Sequence, residues 1–242
     1  MSVFCKSTTD DTVYATCIAP HGDTTYLQWL ATAWGWTLLV ALLALVVALV
    51  VGLVVGIART LPQRGVALLG EAWTELFRNV PLVAQLLLWY HVVPAFFPAL
   101  KGLPDFLLAA IGLGLFTSAR ISEQVKAGIN TLPKGQRYAG LAMGLTLPQT
   151  YRFVLLPVAL RVIVPPLTSE AMNIIKNSSV ASFISVTELI YFATQSGEET
   201  SRPILMYSAV TLLYFLSAFS INRLAAFAER RTRLPGALGS GH

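Results

Sequence analysis

Residues 134–157 read KGQRYAGLAMGLTLPQTYRFVLLP. The stretch is basic and rich in small residues, yet it lies between strongly apolar runs. It is too polar to cross a bilayer and too patterned for a slack loop. Ala139, Gly140 and Gly144 crowd together just before Thr146-Leu147-Pro148-Gln149. Thr146 with Gln149 reads as a capping box, and Pro148 suits the first turn of a new helix. The spacing predicts helix, break, helix on a membrane surface. Small residues on a short exposed helix let a groove on another protein approach the backbone closely. The stretch is therefore expected to be a docking element.

Composition sets the class around it. The chain is 55% hydrophobic and 12% charged, with a mean hydropathy of +0.65. Soluble domains carry about 25% charged residues. Leu38 to Ala58 is a run of 21 residues without a charge. At ~1.5 Å per residue it is about 31 Å long, enough to cross the hydrocarbon core. The run is too long for a signal-peptide core, and the tail before it is long and mildly acidic. The chain is thus expected to be an all-α integral membrane protein with the lipid bilayer as its solvent. Its net charge of +5 follows from basic loops facing the cytoplasm and does not indicate nucleic-acid binding.

Five spans are predicted, at 29–58, 67–93, 104–127, 158–190 and 203–227. The fourth is expected to be interrupted at Pro165-Pro166 and at Lys176-Asn177-Ser178-Ser179. Charge asymmetry orients them. Residues 124–169 hold Lys126, Lys134, Arg137, Arg152 and Arg161 and no acid, and the C-terminal end holds Arg223, Arg230, Arg231 and Arg233. The N-terminal tail instead sets Lys6 against Asp10, Asp11 and Asp23. Basic loops stay in the cytoplasm, which puts the N-terminus outside and the C-terminus inside and requires an odd number of spans. The expected organisation is a periplasmic tail at 1–27, a transmembrane domain at 28–232 with its coupling loop at 128–157, and a flexible C-terminal tail at 233–242. Cys5 and Cys17 fall in the external tail, where a disulfide is permitted and two free thiols are the alternative. Trp29, Trp34, Trp36, Trp89 and Tyr90 are read as interfacial anchors, and Gly52 and Gly56 as a close helix-packing pair. His21 and His91 are isolated, so no metal site is expected. No inverted repeat of the secondary-transporter kind is visible.

Ionisable groups at bilayer depth are costly and default to functional readings. Arg120, Glu123 and Lys126 stand three apart on one helix face. They form either a structural charge ladder, with Glu123 neutralising its neighbours, or a site where Arg120 faces a pathway and attracts a carboxylate. Glu170, Asn173 and Asn177 share a polar stripe at i, i+3, i+7. That stripe serves either hydrogen bonding between helices or the lining of a polar path, where Glu170 could hold an ammonium.

The order Gly135-Gln136, Ala139-Gly140, Gly144 and Leu156-Pro157 resembles the cytoplasmic "EAA" loop of ABC-importer permease subunits. Phe77-Arg78-Asn79-Val80-Pro81-Leu82 and Pro165-Pro166-Leu167 with Lys176-Asn177-Ser178-Ser179 resemble signatures of the polar amino-acid branch. Glu123-Gln124-Val125-Lys126, residues 142–149 and Arg233-Leu234-Pro235-Gly236 look most like permeases of bacterial glutamate/aspartate importers. The similarity covers roughly residues 25–235.

The resemblance implies a five-span, type I importer transmembrane domain in the bacterial inner membrane, translocating a polar, acidic amino acid. It implies a second homologous permease, two ATP-binding subunits that carry ATP and Mg, and a periplasmic amino-acid-binding protein. Gln136, Tyr138, Ala139, Gly140, Ala142, Met143 and Gly144 would dock the ATPase, and Arg120, Glu123, Glu170, Asn173, Lys176, Asn177 and Ser178 would bind substrate. The family's loop usually begins with Glu where this chain has Tyr138, which replaces one polar docking contact. The family's usual Asp at the position of Asn177 is also replaced, removing a negative charge that would repel an anionic cargo. No G-x-x-x-x-G-K-[ST] phosphate loop occurs, so the chain needs no cofactor of its own and is expected to be a non-catalytic subunit. The alternatives are a self-contained proton-coupled transporter, using the charged third span as a relay, and a membrane scaffold or sensor without translocation.

Overall fold

A computed structural model describes residues 3–9, 12–14, 17 and 23–232, with the backbone alone at 225 and 228–232. The elements are α1 (Tyr26–Ala58), α2 (Arg64–Asn79), α3 (Leu82–Leu87), α4 (Val93–Phe96), α5 (Asp105–Asn130), α6 (Lys134–Ala142), α7 (Leu147–Thr150), α8 (Leu156–Asn177), α9 (Leu189–Thr200) and α10 (Pro203–Thr232). A π-helical turn at Leu88–Val92 joins α3 to α4, and another at Tyr151–Leu155 joins α7 to α8. A 3-10 turn spans Pro98–Leu100. Four helical stretches are long and apolar enough to cross a membrane: Tyr26–Ala58, Asp105–Asn130, Leu147–Ile184 and Pro203–Leu224.

The expected second span takes a different form. Arg64–Asn79 and Leu82–Phe96 are bent by 105° to one another, so a fifth crossing exists only if this broken pair is counted as one. The cause is local. A residue before proline is pushed out of the helical region, and Val80, before Pro81, sits at φ −94°, ψ 131°. The fourth region differs in the opposite sense. Pro165 and Pro166 lie inside α8, which continues through them. Proline bars a hydrogen bond but not a helical φ, and freed backbone groups can be satisfied by nearby side chains. Here the missing N–H groups free the carbonyls of Arg161 and Val162, and the helix runs on past them. The helix instead tightens into a 3-10 segment at Ser178–Ile184 and stops at Ser185, whose φ is +64°.

The chain forms two compact units. Among the described residues, one holds those up to 44 with 82–113 and 174–218, and the other holds 45–81, 114–173 and 219–232. The core of the first unit joins Tyr26, Leu30 and Ala33 of α1 to Leu189, Phe192 and Ala193 of α9 and Met206 and Val210 of α10. Two expected interfacial anchors are engaged here: Trp29 meets Phe192 edge-on at 5.1 Å, and the Trp34 indole donates to Ser217 at 2.9 Å. Glu188, fully buried, caps α9 by accepting from the Tyr191 N–H at 2.9 Å and from the Tyr214 hydroxyl at 2.6 Å. Cys5 and Cys17 are joined by a disulfide. Nearby, Asp23 accepts from the Thr9 and Tyr14 hydroxyls at 2.7 and 2.9 Å. Hydroxyl donors, that of Ser7 foremost, lower the Asp23 carboxyl to about 2.

In the second unit α1 packs on α5 through the glycine pair. A Cβ on Gly52 would lie 2.6 Å from Ile121 Cγ2, and one on Gly56 would lie 2.5 Å from Val125 Cβ and 2.9 Å from the Ser122 carbonyl. The pair therefore serves packing within the chain, as small residues do between membrane helices. Gly56→Leu is expected to cost about 1–3 kcal/mol through overpacking. Thermal unfolding of the purified subunit should register it as a lowered midpoint; an unchanged midpoint would show that the helices can separate freely.

Candidate functional site

The expected helix, break, helix is present at 134–150. After α6 the Leu145 N–H donates to the Gly140 carbonyl at 3.2 Å and the Gly144 N–H to the Leu141 carbonyl at 3.0 Å. These are the two bonds of a Schellman ending, with Gly144 in the left-handed position at φ +84°. Gln149 Oε1 then accepts from the backbone N–H and hydroxyl of Thr146, at 2.8 and 2.9 Å, and α7 begins with Pro148 in its first turn. The small residues have separate reasons. Gly140 is buried, and a Cβ there would lie 2.8 Å from Thr150 Cγ2, whereas a Cβ on Gly144 would meet nothing within 4 Å. Gly140 answers to space and Gly144 to backbone conformation.

Two faces of α6 emerge. Tyr138, Ala139, Leu141, Ala142 and Met143 are exposed, Tyr138 by 66% and Met143 by 83%. An exposed Tyr and Met beside alanines give a compact apolar patch on a short helix, the kind of surface a groove covers. Gln136 and Arg137 are half-buried on the other side, and Gln136 Oε1 is enclosed without a hydrogen-bond partner.

The charges of α5 depart from the ladder considered from sequence. Arg120, Glu123 and Lys126 each pair with another helix. Arg120 Nε lies 3.2 Å from Glu170 Oε2 on α8, Glu123 pairs with Arg78 on α2, and Lys126 Nζ lies 3.0 Å from Glu71 on α2. The counter-charge of Arg120 is thus Glu170, not Glu123. An i+3 neighbour on the same helix wins only when no better partner exists, and here α2 and α8 supply them.

Glu170 is 5% exposed at its side chain and Arg120 41%. Its Oε1 accepts from Gln124 at 2.9 Å, while Oε2 lies near Arg120 without hydrogen-bond geometry. The pair is held by charge proximity, and Oε2 keeps its accepting capacity. Asn173 is half-buried in the same unit. Lys176, Asn177 and Ser178 belong to the other unit. There Lys176 is exposed, Asn177 half-buried at the end of α8, and Ser178 fully buried with its hydroxyl on the Ile175 carbonyl at 2.8 Å.

Sequence reasoning missed the ion-pair cluster around Arg59. Its guanidinium forks onto Glu71 at 2.9 and 3.0 Å and donates to Ser122 at 3.1 Å. Gly70 makes room for its stem, since a Cβ there would lie 2.7 Å from Arg59 Cγ. A signal existed: Glu71 and Arg78 carry signs opposite to Lys126 and Glu123, in reversed chain order, as an antiparallel helix pair requires. Glu188 was also missed, although an acid directly before the apolar Leu189-Ile190-Tyr191-Phe192 run is a helix-start signal.

Residues 48–234 match the family model described as "Binding-protein-dependent transport system inner membrane component". The chain is 45% identical over 231 residues to the glutamate/aspartate import permease protein GltJ of Escherichia coli (strain K12), covering 91% of this chain and 94% of that one. It is 30% identical over 172 residues to the glutamate/aspartate import permease protein GltK of Escherichia coli O6:H1, covering 69% and 77%. A crystal structure of an amino acid ABC transporter with histidines superposes with a TM-score of 0.75 at 27% identity, over 85% of this chain and 95% of that one. The MetNI methionine ABC transporter in an inward-facing form superposes with a TM-score of 0.73 at 22% identity and supports the fold alone.

Proposed function

The chain belongs to the family of binding-protein-dependent transport system inner membrane components, and from that premise we propose that it is the permease subunit of an ATP-driven importer of glutamate and aspartate. One observation carries this reading: 45% identity to a glutamate/aspartate import permease over 91% of the chain. A second permease of the GltK kind is the proposed partner, with two ATP-binding subunits and a periplasmic binding protein completing the importer.

The exposed face of α6, with Tyr138, Ala139, Ala142 and Met143, is the proposed ATPase-docking surface, and Gly140 and Gly144 set its shape. Gln136 supports it from the half-buried side. Substrate binding is assigned to Arg120 and Glu170, with Asn173 three residues along α8 from Glu170; Glu123 is held by Arg78, and Lys176, Asn177 and Ser178, which belong to the other unit, are left out of the assignment. An acidic amino acid offers both partners a substitute: a carboxylate for Arg120 and the ammonium for Glu170. Such an exchange conserves the number of opposite-charge contacts, so the cargo enters without stranding a buried ion.

Two measurements test the proposal. Uptake of labelled glutamate and aspartate by the reconstituted complex should require ATP and persist without a proton gradient. Uptake driven by a proton gradient alone would replace this reading with a self-contained transporter. The proposed orientation has the N-terminus outside. After reduction, a membrane-impermeant thiol reagent should label Cys5 or Cys17 in intact spheroplasts; labelling only after lysis would reverse it.

A further inference from the structure

A cavity of about 470 Å³ lies beside α6, bounded by Lys134, Arg137 and Tyr138, by Thr60 and Tyr151, and by Ile129 and Leu155. Its lining residues belong to one unit. Two features set it apart. It is lined by two cations and no acid, and among the described residues neither Lys134 nor Arg137 has an ion-pair partner. Moreover, Arg137 Nε is enclosed and meets no hydrogen-bond acceptor. An enclosed guanidinium N–H without an acceptor is costly unless a ligand provides one. The Tyr151 hydroxyl is already committed to the Thr60 carbonyl at 2.8 Å, so the unmet demand in the cavity is for negative charge.

Depth narrows the source of that charge. Thr60 lies two residues past α1, Ile129 is in the last turn of α5, and Leu155 immediately precedes α8. The cavity therefore sits where three apolar helices begin or end, the level of lipid headgroups. Ile129 and Leu155 give it an apolar wall beside the cations. We propose that this cavity binds a phosphate anion, and that its source is the headgroup of an anionic phospholipid. Basic pockets between transmembrane helices on the cytoplasmic side bind such headgroups. The site is separate from Arg120 and Glu170 and does not depend on the identity of the cargo.

The test uses the assembled importer in nanodiscs of equimolar phosphatidylglycerol and phosphatidylcholine, with native mass spectrometry counting retained lipid. Wild type should retain phosphatidylglycerol in preference to phosphatidylcholine. Lys134→Gln and Arg137→Gln should each reduce that retention about fivefold. Arg152→Gln, an exposed basic residue outside the cavity, should leave it unchanged. Phosphorus NMR with sodium phosphate supplies the second arm. Wild-type broadening that is lost in Lys134→Gln/Arg137→Gln, without any phosphatidylglycerol preference, would keep the phosphate site and overturn the lipid as its source. Equal lipid retention and equal phosphate broadening in wild type and the double variant would overturn the proposal. If the double variant does not assemble, wild type alone decides: no phosphatidylglycerol preference and no phosphate broadening would also overturn it.

Discussion

Uptake of glutamate and aspartate is expected to fall about tenfold or more in Arg120→Gln, the loss of a charge-assisted hydrogen bond to a substrate carboxylate. The single variant also strands Glu170, which is 5% exposed, and breaking one side of a buried pair is itself destabilising by about 3–5 kcal/mol. Arg120 is 41% exposed at its side chain, so solvent screens part of that cost. The double variant Arg120→Gln/Glu170→Gln separates the two effects. It removes both charges at near-constant volume and should restore assembly and basal ATPase activity while leaving uptake low. Normal uptake by the double variant would make the pair a structural tie and nothing more. Lys126→Gln is the control: its partner Glu71 keeps the forked contact with Arg59, so selectivity should change little.

Gly144→Val is expected to reduce transport on the order of tenfold with the subunit still inserted and folded. A β-branched residue at positive φ is a genuine outlier, and φ here is +84°. Nothing lies within 4 Å of the missing Cβ, so the effect comes from the backbone and not from a clash inside the subunit. Gly144→Asn makes that distinction measurable, because Asn tolerates the left-handed region. Uptake and ATPase coupling should largely recover in Gly144→Asn. If Val and Asn impair coupling equally, the site demands empty space for a partner, and the conformational account fails.

The elements legible in sequence were those with strong local signals. The uncharged run at 38–58 lies within α1, and Thr146 to Gln149 opens α7 as the capping pattern required. Where two local rules competed, the sequence was less informative. Pro81 ends a helix and Pro165-Pro166 do not, although both follow valine. The preference of a pre-proline residue for extended backbone is modest, and packing of the surrounding apolar helix decides it. Charge pairing was legible only in kind. Arg120 and Glu170 were each marked as expensive in a membrane, but their contact joins residues 50 apart and is fixed by how α5 meets α8. No periodicity within one helix records that meeting. The pairs of Arg78 and Glu123 and of Glu71 and Lys126 belong to the same class, since each joins α2 to α5.

The turn between α6 and α7 also has a mechanical meaning. Its carbonyls and N–H groups are tied by the bonds into Gly140, Leu141 and Gln149, so it behaves as a stiff elbow with little compliance. A load applied to the outer face of α6 is then transmitted and not absorbed there. The next section in its path, Tyr151–Leu155, carries the wider hydrogen-bonded rings of a π turn. That section links α7 to α8, and the Tyr151 hydroxyl donates to the Thr60 carbonyl just past the end of α1. Under the proposed docking at α6, a stroke delivered there would be shared between α8 and the Tyr151 tether to Thr60 just past α1.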